Sequence, residues 1–495
     1  MKPWNSIPRS AINQPNGVAG LDAVGQMDQP LPLAASQLLR PLTINTPGEL
    51  WTAVSPATSS VAIVADAAVP GGRAIECTVD NSAGGTQLDR FFRCKLLTPV
   101  AVRTGITMMV KADNAAGIII GVTLSDLDSA DPSESTSGWR ADFSPAVTHY
   151  AKVDNEYMTL TAAPWFFTAR GTPTAWYASL ATDATYTVRW LWFRMRVDAG
   201  LTRTVRFSPV YWQQPASAGI VIQFDDGRIS QYDRAFPILR ERGLVGTVWL
   251  EFDNLGTAGY MTVDNALEMQ DAGWDMCVHS PTHIVEGMSD DNTRDVIQTA
   301  QLRAIQLGFS RGCRFWLPAG NLARNPISQN IVNERFLGSR GASRYTDAAS
   351  TVYPEQAYTL PPSWLPGWYN RGWHQIGYQQ FGGLGATNSP PLEFGAVGED
   401  VLPYLQSALR HRMVGSIYTH SIIDDPALIN VNGSCSTQYM TDLADWVAEQ
   451  KAAGTMVDMT WPSWYYSVMG GGAMQPAMRE AGNLMCVDSG GRRLV

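Results

Sequence analysis

From residue 219 onward the chain changes rhythm, and that change constrains the fold more than any other feature. Before it, short alternating runs follow one another with turn residues between them; after it, apolar runs alternate with stretches of helical period. Ile220-Val-Ile-Gln-Phe224 reads as a buried strand, and residues 228–242 follow with Tyr232, Ala235, Phe236 and Leu239 at helical spacing. The same alternation predicts strands at Leu244–Phe252, Trp274–Val278, Arg314–Leu317, Gly415–Thr419 and Thr455–Thr460. Helices are predicted at 262–272, with Thr262 as N-cap, and at 290–307, 400–412 and 438–453. Strands separated by helices imply a parallel sheet with right-handed crossovers. A distorted (β/α) barrel, closed or nearly closed, is therefore expected across residues 219–470. Residues 350–398 interrupt the rhythm with Pro, Gly and Trp and are expected to form a long loop over one face.

The preceding part carries no helical period. Val61-Ala-Ile-Val64, Ile118-Ile-Ile-Gly-Val-Thr123 and the run Thr185–Val197 are separated by turn residues, a spacing that suggests an N-terminal β-sandwich of jelly-roll type over 45–214. Such a domain serves as a spacer or binds carbohydrate. Pro215-Ala-Ser-Ala-Gly219 reads as a linker. Residues 1–44 are rich in Pro, Gly, Asn and Gln and read as an extended arm that needs a partner surface to order it; 471–495 reads as a C-terminal tail. A chain of 495 residues has room for several cores, so the organisation is multidomain.

Composition excludes some partners. The net charge is −9 with no basic run, which argues against nucleic acid or an anionic membrane. No apolar stretch approaches the roughly 20 residues that span a bilayer, and Met1–Ser10 lacks the hydrophobic region of a secretory signal. Neither membrane insertion nor a signal peptide is expected. The six cysteines (77, 94, 277, 313, 435 and 486) are scattered, without a CxxC pair. Cys277 and Cys313 are expected to be core thiols. Cys77 and Cys94 could bridge adjacent strands, with free thiols the stronger expectation.

Chemistry concentrates at the ends of the predicted strands. Asp225 and Asp226 are adjacent carboxylates that repel, and a bound cation would hold them, with one as ligand and the other free as a base. His279-Ser-Pro-Thr-His283 adds two imidazoles four residues apart. Pro318-Ala-Gly320 follows the fourth strand, and His420 ends the strand Gly415–Thr419. In a (β/α) barrel the carboxyl ends of the strands are where active sites lie. One Asp and two His make a three-ligand site for a divalent ion, zinc foremost, with positions left for water.

This arrangement is similar to the polysaccharide deacetylase family, also called carbohydrate esterase family four or the NodB homology domain. The resemblance spans roughly 219–465. Phe224-Asp-Asp-Gly227 looks like its first motif, and His279-Ser-Pro-Thr-His283 fits the second, H-[S/T]-x-x-H. Phe315-Trp-Leu-Pro-Ala-Gly320 looks like a degenerate third motif and Ile417-Tyr-Thr-His420 like the fifth. The resemblance implies that Asp226, His279 and His283 hold the metal, that Asp225 is the general base, and that the Ala319 N–H stabilises the oxyanion. It makes His420 the general acid for the leaving amine or alkoxide. Trp316, Pro318, Gly320, Trp368 and Trp373 are candidate substrate contacts.

Two departures from the family pattern matter. Trp316 stands where the family has an Arg that orients the base, and Ala319 where it has an aromatic residue. Arg314 should point to the opposite side of a regular strand, so that role is vacant or filled elsewhere, with Arg344 the freer candidate. No fourth motif is clear; Asp347 and Trp373 are nominees. Of the other histidines, His149 belongs to the sandwich, His411 between Arg410 and Arg412 is expected in solvent, and His374 falls in the Trp-rich loop. Trp316, Trp364, Trp368, Trp373, Trp461 and Trp464 could supply a sugar-stacking wall, with packing the stronger expectation for any single one.

Pro15-Asn-Gly-Val-Ala-Gly-Leu-Asp-Ala23 resembles segments of bacteriophage tail-fibre and tailspike proteins. That resemblance implies a virion component whose arm contacts tail or baseplate proteins. It also implies a homotrimer or other homo-oligomer, and a bacterial surface polysaccharide (O-antigen or capsule) as partner. The alternatives are a glycan-binding tail protein with a vestigial barrel, and a bacterial deacetylase acting on chitin-like or peptidoglycan sugars.

Overall fold

The computed structural model describes residues 39–43, 49–69, 72–102, 105–114, 116–128, 137–143, 157–162, 167–172, 185–213, 217–280, 288–309, 311–317, 332, 335–340, 359–360, 379–380, 401–412, 414–425, 434–468, 475–480 and 483–487. Strands β1 (Leu39–Pro41), β2 (Trp51–Ala53), β3 (Ser59–Ala65), β4 (Arg73–Asp80), β5 (Leu88–Val102), β6 (Ile106–Ala112) and β7 (Ile118–Ser125) come first. They are followed by β8 (Ser137–Phe143), β9 (Met158–Ala162), β10 (Thr168–Gly171), β11 (Tyr186–Val197), β12 (Thr202–Phe207) and β13 (Tyr211–Gln213). All thirteen are antiparallel and divide between two sheets. One has the order β1-β13-β6-β12-β4-β3, with β9 also on β6; the other has the order β10-β8-β7-β11-β5-β2. One buried cluster draws from both, with Ile75, Val205 and Phe207 from the first and Phe92, Val122 and Phe193 from the second.

Strand β11 shows how register assigns faces. Its pairing with β5 shifts between Val188 and Trp190, a bulge that changes which residues face the core. Tyr186 and Val188 are in the core before it, and Leu191, Phe193, Met195 and Val197 after it. Trp190, Trp192, Arg194 and Arg196 alternate with these and take the opposite face of the sheet. Cys77 on β4 and Cys94 on β5 lie in different sheets, both buried and both free; burial pushes the Cys94 thiol up to about 12.

The second half is built on a parallel sheet. Its strands are β14 (Ala218–Asp226), β15 (Thr247–Leu250), β16 (Asp275–His279), β17 (Phe315–Leu317), β18 (Gly338–Ser339), β19 (Thr359–Leu360), β20 (Gln379–Gln380) and β21 (Val414–Thr419). The pair β22 (Ser421–Ile422) and β23 (Ser434–Cys435) follows, then β24 (Met456–Met459) and a last hairpin, β25 (Gln475–Glu480) and β26 (Asn483–Val487). Helices α1 (Phe236–Glu241), α2 (Val263–Asp271), α3 (Asp290–Leu307), α4 (Leu402–Arg410), α5 (Thr437–Ala452) and α6 (Trp461–Val468) alternate with the strands. The sheet order is β18-β17-β16-β15-β14-β21-β19, with β24 along the first half of β14 and β20 on β21. A closed or nearly closed barrel was expected. Among the described residues the strands make an open, curled sheet, ending at two dipeptide strands, one of them (β19) antiparallel to its neighbour.

Period-two alternation assigns the two faces of this sheet. Ile220, Ile222 and Phe224 of β14 point to the helices, with Val248, Leu250, Met276, Val278 and Trp316. Val221 of β14 points to the interior, with Trp249, Cys277, Phe315 and Leu317, and there meets Trp461 and Trp464. The interior apolar cluster also takes in Val69, Ala74 and Met109 from the first half, so the two halves share packed surface. Thr262 caps α2 as expected, accepting from Asn265 N–H in a capping box. The helix expected over 228–242 instead opens as a π-helical turn, Gln231–Ala235, before α1. Its first residues are committed to the strand ends, as described below. His411 was expected in solvent and is buried, because the chain reverses at Arg412 (φ +51°) straight into β21.

Candidate metal centre and catalytic residues

The polar residues converge because five parallel strands end on one side of the sheet. Asp225 and Asp226 close β14, Glu251 follows β15, His279 closes β16, Arg340 follows β18, and His420 follows β21. Adjacent residues of a regular strand point to opposite faces. Asp226 escapes that rule by taking φ +74°, and Gly227 continues at φ +76°. The positive φ at Gly227 is what favours glycine in this turn; a Cβ there would also meet Leu250 Cδ2 at 2.6 Å. The turn lets Asp225 and Asp226 serve different partners at one mouth.

Asp225 is buried and pairs through Oδ2 with the Arg340 guanidinium. Arg340 is itself enclosed, with its Cζ 5.4 Å from the Trp249 ring centroid and 4.7 Å from that of Tyr418. Gln223, on the same inner face, accepts from Trp249 Nε1 at 2.9 Å and from Arg340 Nη1 at 3.4 Å, and donates to Ser416 Oγ at 2.8 Å. The neighbourhood of Asp225 is thus fixed by hydrogen bonds and aromatic packing. Asp225 Oδ1 is left buried with no hydrogen-bond partner. His420 Nε2 lies 4.0 Å from Asp225 Oδ2, and its Nδ1 is likewise buried without a partner.

Arg340 answers the question raised by Trp316. The sheet pairs Phe315 with Gly338 and Trp316 with Ser339, and Arg340 N–H donates to the Trp316 carbonyl at 2.9 Å. The next position, Arg340, therefore shares the inward parity of Phe315 and Leu317. Trp316 has the outward parity: it is 1% exposed, packed on Phe336 at 5.2 Å in the layer between sheet and helices. That position corrects its assignment as a substrate contact. The arginine that pairs with Asp225 comes from one strand over, and Arg344 lies outside the described residues.

Asp226, Glu251 and His279 form a second group, whose potential ligand atoms all lie within 4.8 Å of one another. Asp226 Oδ1 is 3.7 Å from His279 Nε2, while its Oδ2 accepts from Arg228 Nη2 at 3.0 Å. His279 Nδ1 is 2.9 Å from the Ser280 carbonyl, which places the proton on Nδ1 and leaves the Nε2 lone pair toward Asp226. Burial holds His279 below the usual histidine value, outweighing the upward pull of Asp225 and Asp226. Burial also raises Glu251, to about 7, and the charge of Asp226 adds to that rise. Two carboxylates and one imidazole this close together, with Asp226 Oδ1 3.7 Å from His279 Nε2 and Glu251 Oε1 3.7 Å from Nδ1, are a donor set that suits a divalent cation. The charge crowding that lifts Glu251 is what such an ion would relieve.

Two more residues hold the mouth together. Gln231, fully buried, donates from Nε2 to the carbonyls of Asp225 and His420, tying the ends of β14 and β21. Ser230 Oγ accepts from Ile422 N–H at 3.1 Å. These contacts explain why the segment after Gly227 begins as a π-turn, a form that recurs at functional sites.

Of the residues expected from sequence, the structure brings together Asp225, Asp226, His279 and His420. Glu251, Arg340 and Gln231 were not foreseen. His283, Pro318, Ala319, Gly320, Trp368 and Trp373 lie outside the described residues, as do Arg344, Asp347, His149 and His374. Trp461 and Trp464 are buried packing residues.

Residues 213–328 match the family described as polysaccharide deacetylase, a span that holds Asp225, Asp226, Glu251 and His279 but not Arg340 or His420. No curated protein matches the chain. Solved structures with similarity include the Xyl-CE4 domain of a multidomain xylanase from the hindgut metagenome of Trinervitermes trinervoides, at 15% identity over 50% of this chain and 90% of that one, TM-score 0.30. A family 4 acetyl xylan esterase from Clostridium thermocellum, in complex with a cobalt ion, is 15% identical over 50% of this chain and 90% of that one, TM-score 0.29. A family 11 carbohydrate-binding module, also from Clostridium thermocellum, is 10% identical over 36% of this chain and 95% of that one, TM-score 0.24.

Proposed function

Residues 213–328 belong to the polysaccharide deacetylase family, hydrolases of acetyl groups, and from that premise we propose a metal-dependent deacetylase acting on an acetylated bacterial surface polysaccharide. The observation that carries the proposal is the convergence of an oriented carboxylate, a candidate ligand group and a histidine at the same strand ends. Asp226, Glu251 and His279 would hold the ion, with His283 as a further ligand, and zinc suits such donors. A bound divalent ion supplies Lewis acidity at the acetyl carbonyl and acidifies water.

The chain's own residues carry the proton traffic. Asp225, held by Arg340, which Gln223 fixes in turn, accepts a proton from the attacking water through its unpartnered Oδ1. The water oxygen bonds to the acetyl carbonyl carbon, and the Ala319 N–H is assigned to the oxyanion. His420 gives its proton to the departing sugar nitrogen or oxygen as the bond to the acetyl carbon breaks, releasing acetate. Gln231 keeps Asp225 and His420 in register across β14 and β21.

The proposal further places the chain in a phage tail, with residues 1–44 as attachment and trimerisation arm. The two antiparallel sheets are read as a jelly-roll sandwich that spaces or binds glycan. The test is acetate release from a panel of acetylated O-antigens and capsules, with Asp225→Asn and metal-stripped protein as controls. Release that depends on both is expected; a folded, metal-loaded protein that frees no acetate from any of them would sink the reading. A full-length oligomer that becomes monomeric when residues 1–44 are deleted supports the arm, and a full-length monomer refutes it.

A further inference from the structure

The outward face of the six-stranded sheet carries a second polar centre, far from any role in acetyl hydrolysis. On β11 the residues left outside the core by the bulge are Trp190, Trp192, Arg194 and Arg196. Cross-strand pairing puts Lys95 beside Trp190, Arg93 and Thr123 beside Trp192, and Asp89 beside Arg196. On the same face β8 contributes Arg140, paired with Thr123, and Asp142, paired with Gly121; Arg170 of β10 lies opposite Gly138.

A solvent-facing sheet surface is ordinarily exposed and polar, yet Trp190 is 6% and Trp192 2% exposed. Cations cover the indoles: the Arg93 guanidinium lies 5.7 Å from the Trp190 centroid and 5.4 Å from that of Trp192, with Lys95 Nζ 5.7 Å from Trp190. Beside this ladder Arg194 bridges Asp89 and Asp142 at 2.8 Å each, Arg196 reaches Asp89 at 2.8 Å, and Arg140 reaches Asp142 at 3.1 Å.

Two independent observations define what this face would accept. The strand residues of the face include six cations (Arg93, Lys95, Arg140, Arg170, Arg194, Arg196) against two carboxylates (Asp89, Asp142), a surplus of four positive charges on a chain of net charge −9. Three buried polar atoms have no hydrogen-bond partner, Trp190 Nε1, Trp192 Nε1 and Arg170 Nε, and all three are donors. Among the described residues no buried side-chain acceptor of this face lacks a partner. Buried donors without partners are costly unless a ligand satisfies them.

We propose that this face binds an acidic, carboxylate-bearing polysaccharide. Its carboxylates would meet the guanidinium and ammonium groups, and its oxygens would accept from the indole N–H groups. That the polyanion is a glycan rests on the deacetylase reading of the same chain; that it is acidic rests on the face itself. The indoles already carry cations on their rings, so base stacking, the usual grip on single-stranded nucleic acid, is not what this surface offers.

The experiment measures binding of the full chain, by calorimetry or affinity electrophoresis, to polygalacturonate, to the same polymer with its carboxyls reduced to alcohols, and to duplex DNA. Binding to polygalacturonate, at least about tenfold stronger than to the reduced polymer, is expected. The double variant R93Q/K95Q should lose at least about tenfold toward polygalacturonate while its melting temperature stays near wild type. Trp192→Phe, which keeps the ring and removes the N–H, should lose a smaller but measurable factor. Absent or equal binding of the two polymers, unchanged binding by R93Q/K95Q, or tighter binding of DNA would overturn the proposal. Acetate release from a small acetyl ester separates the two readings: R93Q/K95Q should keep it, and its absence in wild type would count against the esterase centre and leave the binding result standing.

Discussion

Two buried aspartates pair with arginines at opposite ends of the parallel sheet. Asp275 begins β16 and Asp225 lies at the end of β14, and each side chain is 5% exposed. At the amino end Asp275 spends both oxygens, accepting from Arg311 Nε at 2.7 Å through Oδ1 and from Thr460 Oγ1 at 2.5 Å through Oδ2. At the carboxyl end Asp225 gives Oδ2 to Arg340 and leaves Oδ1 buried and unused. Equal burial with unequal satisfaction separates a carboxylate that ties the fold from one with an oxygen left over, as the proposed base requires. The general assignment of stability to the amino end of such sheets and chemistry to the carboxyl end gains an atomic criterion here.

The sharpest way to break that contrast is a matched pair of substitutions. Asn at either position retains an oxygen for its arginine and loses the charge. Asp225→Asn should lower kcat by about 10²–10⁴, the usual contribution of a general base, whereas Asp275→Asn should leave kcat per folded molecule within about twofold. Steady-state acetate release, normalised to folded protein by calorimetry, reads both. Equal loss of kcat in the two variants would erase the distinction.

The arginines should differ in the opposite currency. Arg340 is enclosed between Trp249 and Tyr418, while the Arg311 side chain is 36% exposed. Arg340→Met strands Asp225 as a buried charge and should cost about 3–5 kcal/mol of stability. Arg311→Met lets water reach Asp275, which keeps Thr460, and should cost about 1–2 kcal/mol. Chemical denaturation measures the difference, and Arg340→Lys should recover part of the stability but little of the activity, since one ammonium cannot serve both Asp225 and Gln223.

What could be read in the sequence follows from the range over which each signal acts. Asp225, Asp226 and His279 stand in short motifs at the ends of strands with strong periodicity, and they were legible. Glu251 is a lone acid beside β15; its meaning depends on β15 lying against β14, a fact of sheet order. A signal existed, because it lies near the end of a predicted strand, on the side where active sites lie, but the predicted strand ran on to Phe252 and hid it. Arg340 follows a strand of two residues, too short for any period to register. Only its pairing with β17 shows that it takes the inward place that Trp316 gave up. The bulge at Val188/Trp190 had the same effect in the first half, since a one-residue shift reverses faces and no composition reveals it.

Metal removal gives the third test, which acts on stability through binding alone. An ion present at about a thousandfold above its Kd adds about 4 kcal/mol to the folded state. Chelation should therefore lower the melting temperature of the wild type by several degrees, and zinc should restore it. Asp275→Asn should retain that shift, and Asp226→Asn or His279→Ala should abolish it. Glu251→Gln sharpens the ligand set: if Glu251 holds the ion, zinc affinity measured by chelator competition should fall roughly tenfold or more. Unchanged affinity would leave Asp226 and His279 as the described ligands.

Two glycines that hold these ends in shape give the last test. Gly227 has φ +76° and faces Leu250 Cδ2, whereas Gly312, next to Arg311, faces the backbone: a Cβ there would meet the Met276 carbonyl oxygen at 1.8 Å. Leu250 is the end of a side chain and can give way, so Gly227→Ala should cost about 1–3 kcal/mol, chiefly for the positive φ. Gly312→Ala meets backbone that cannot move without disturbing β16, and should cost more stability. Function should rank them in reverse. Gly227 sets where the Asp226 carboxylate points, so its substitution should weaken zinc binding and lower kcat even in protein that remains folded. Gly312→Ala should behave like Asp275→Asn, with fewer folded molecules and normal turnover in each. Should Gly227→Ala bind zinc as wild type does, the positive φ at Asp226 would be a consequence of the chain reversal and not the device that separates the two aspartates.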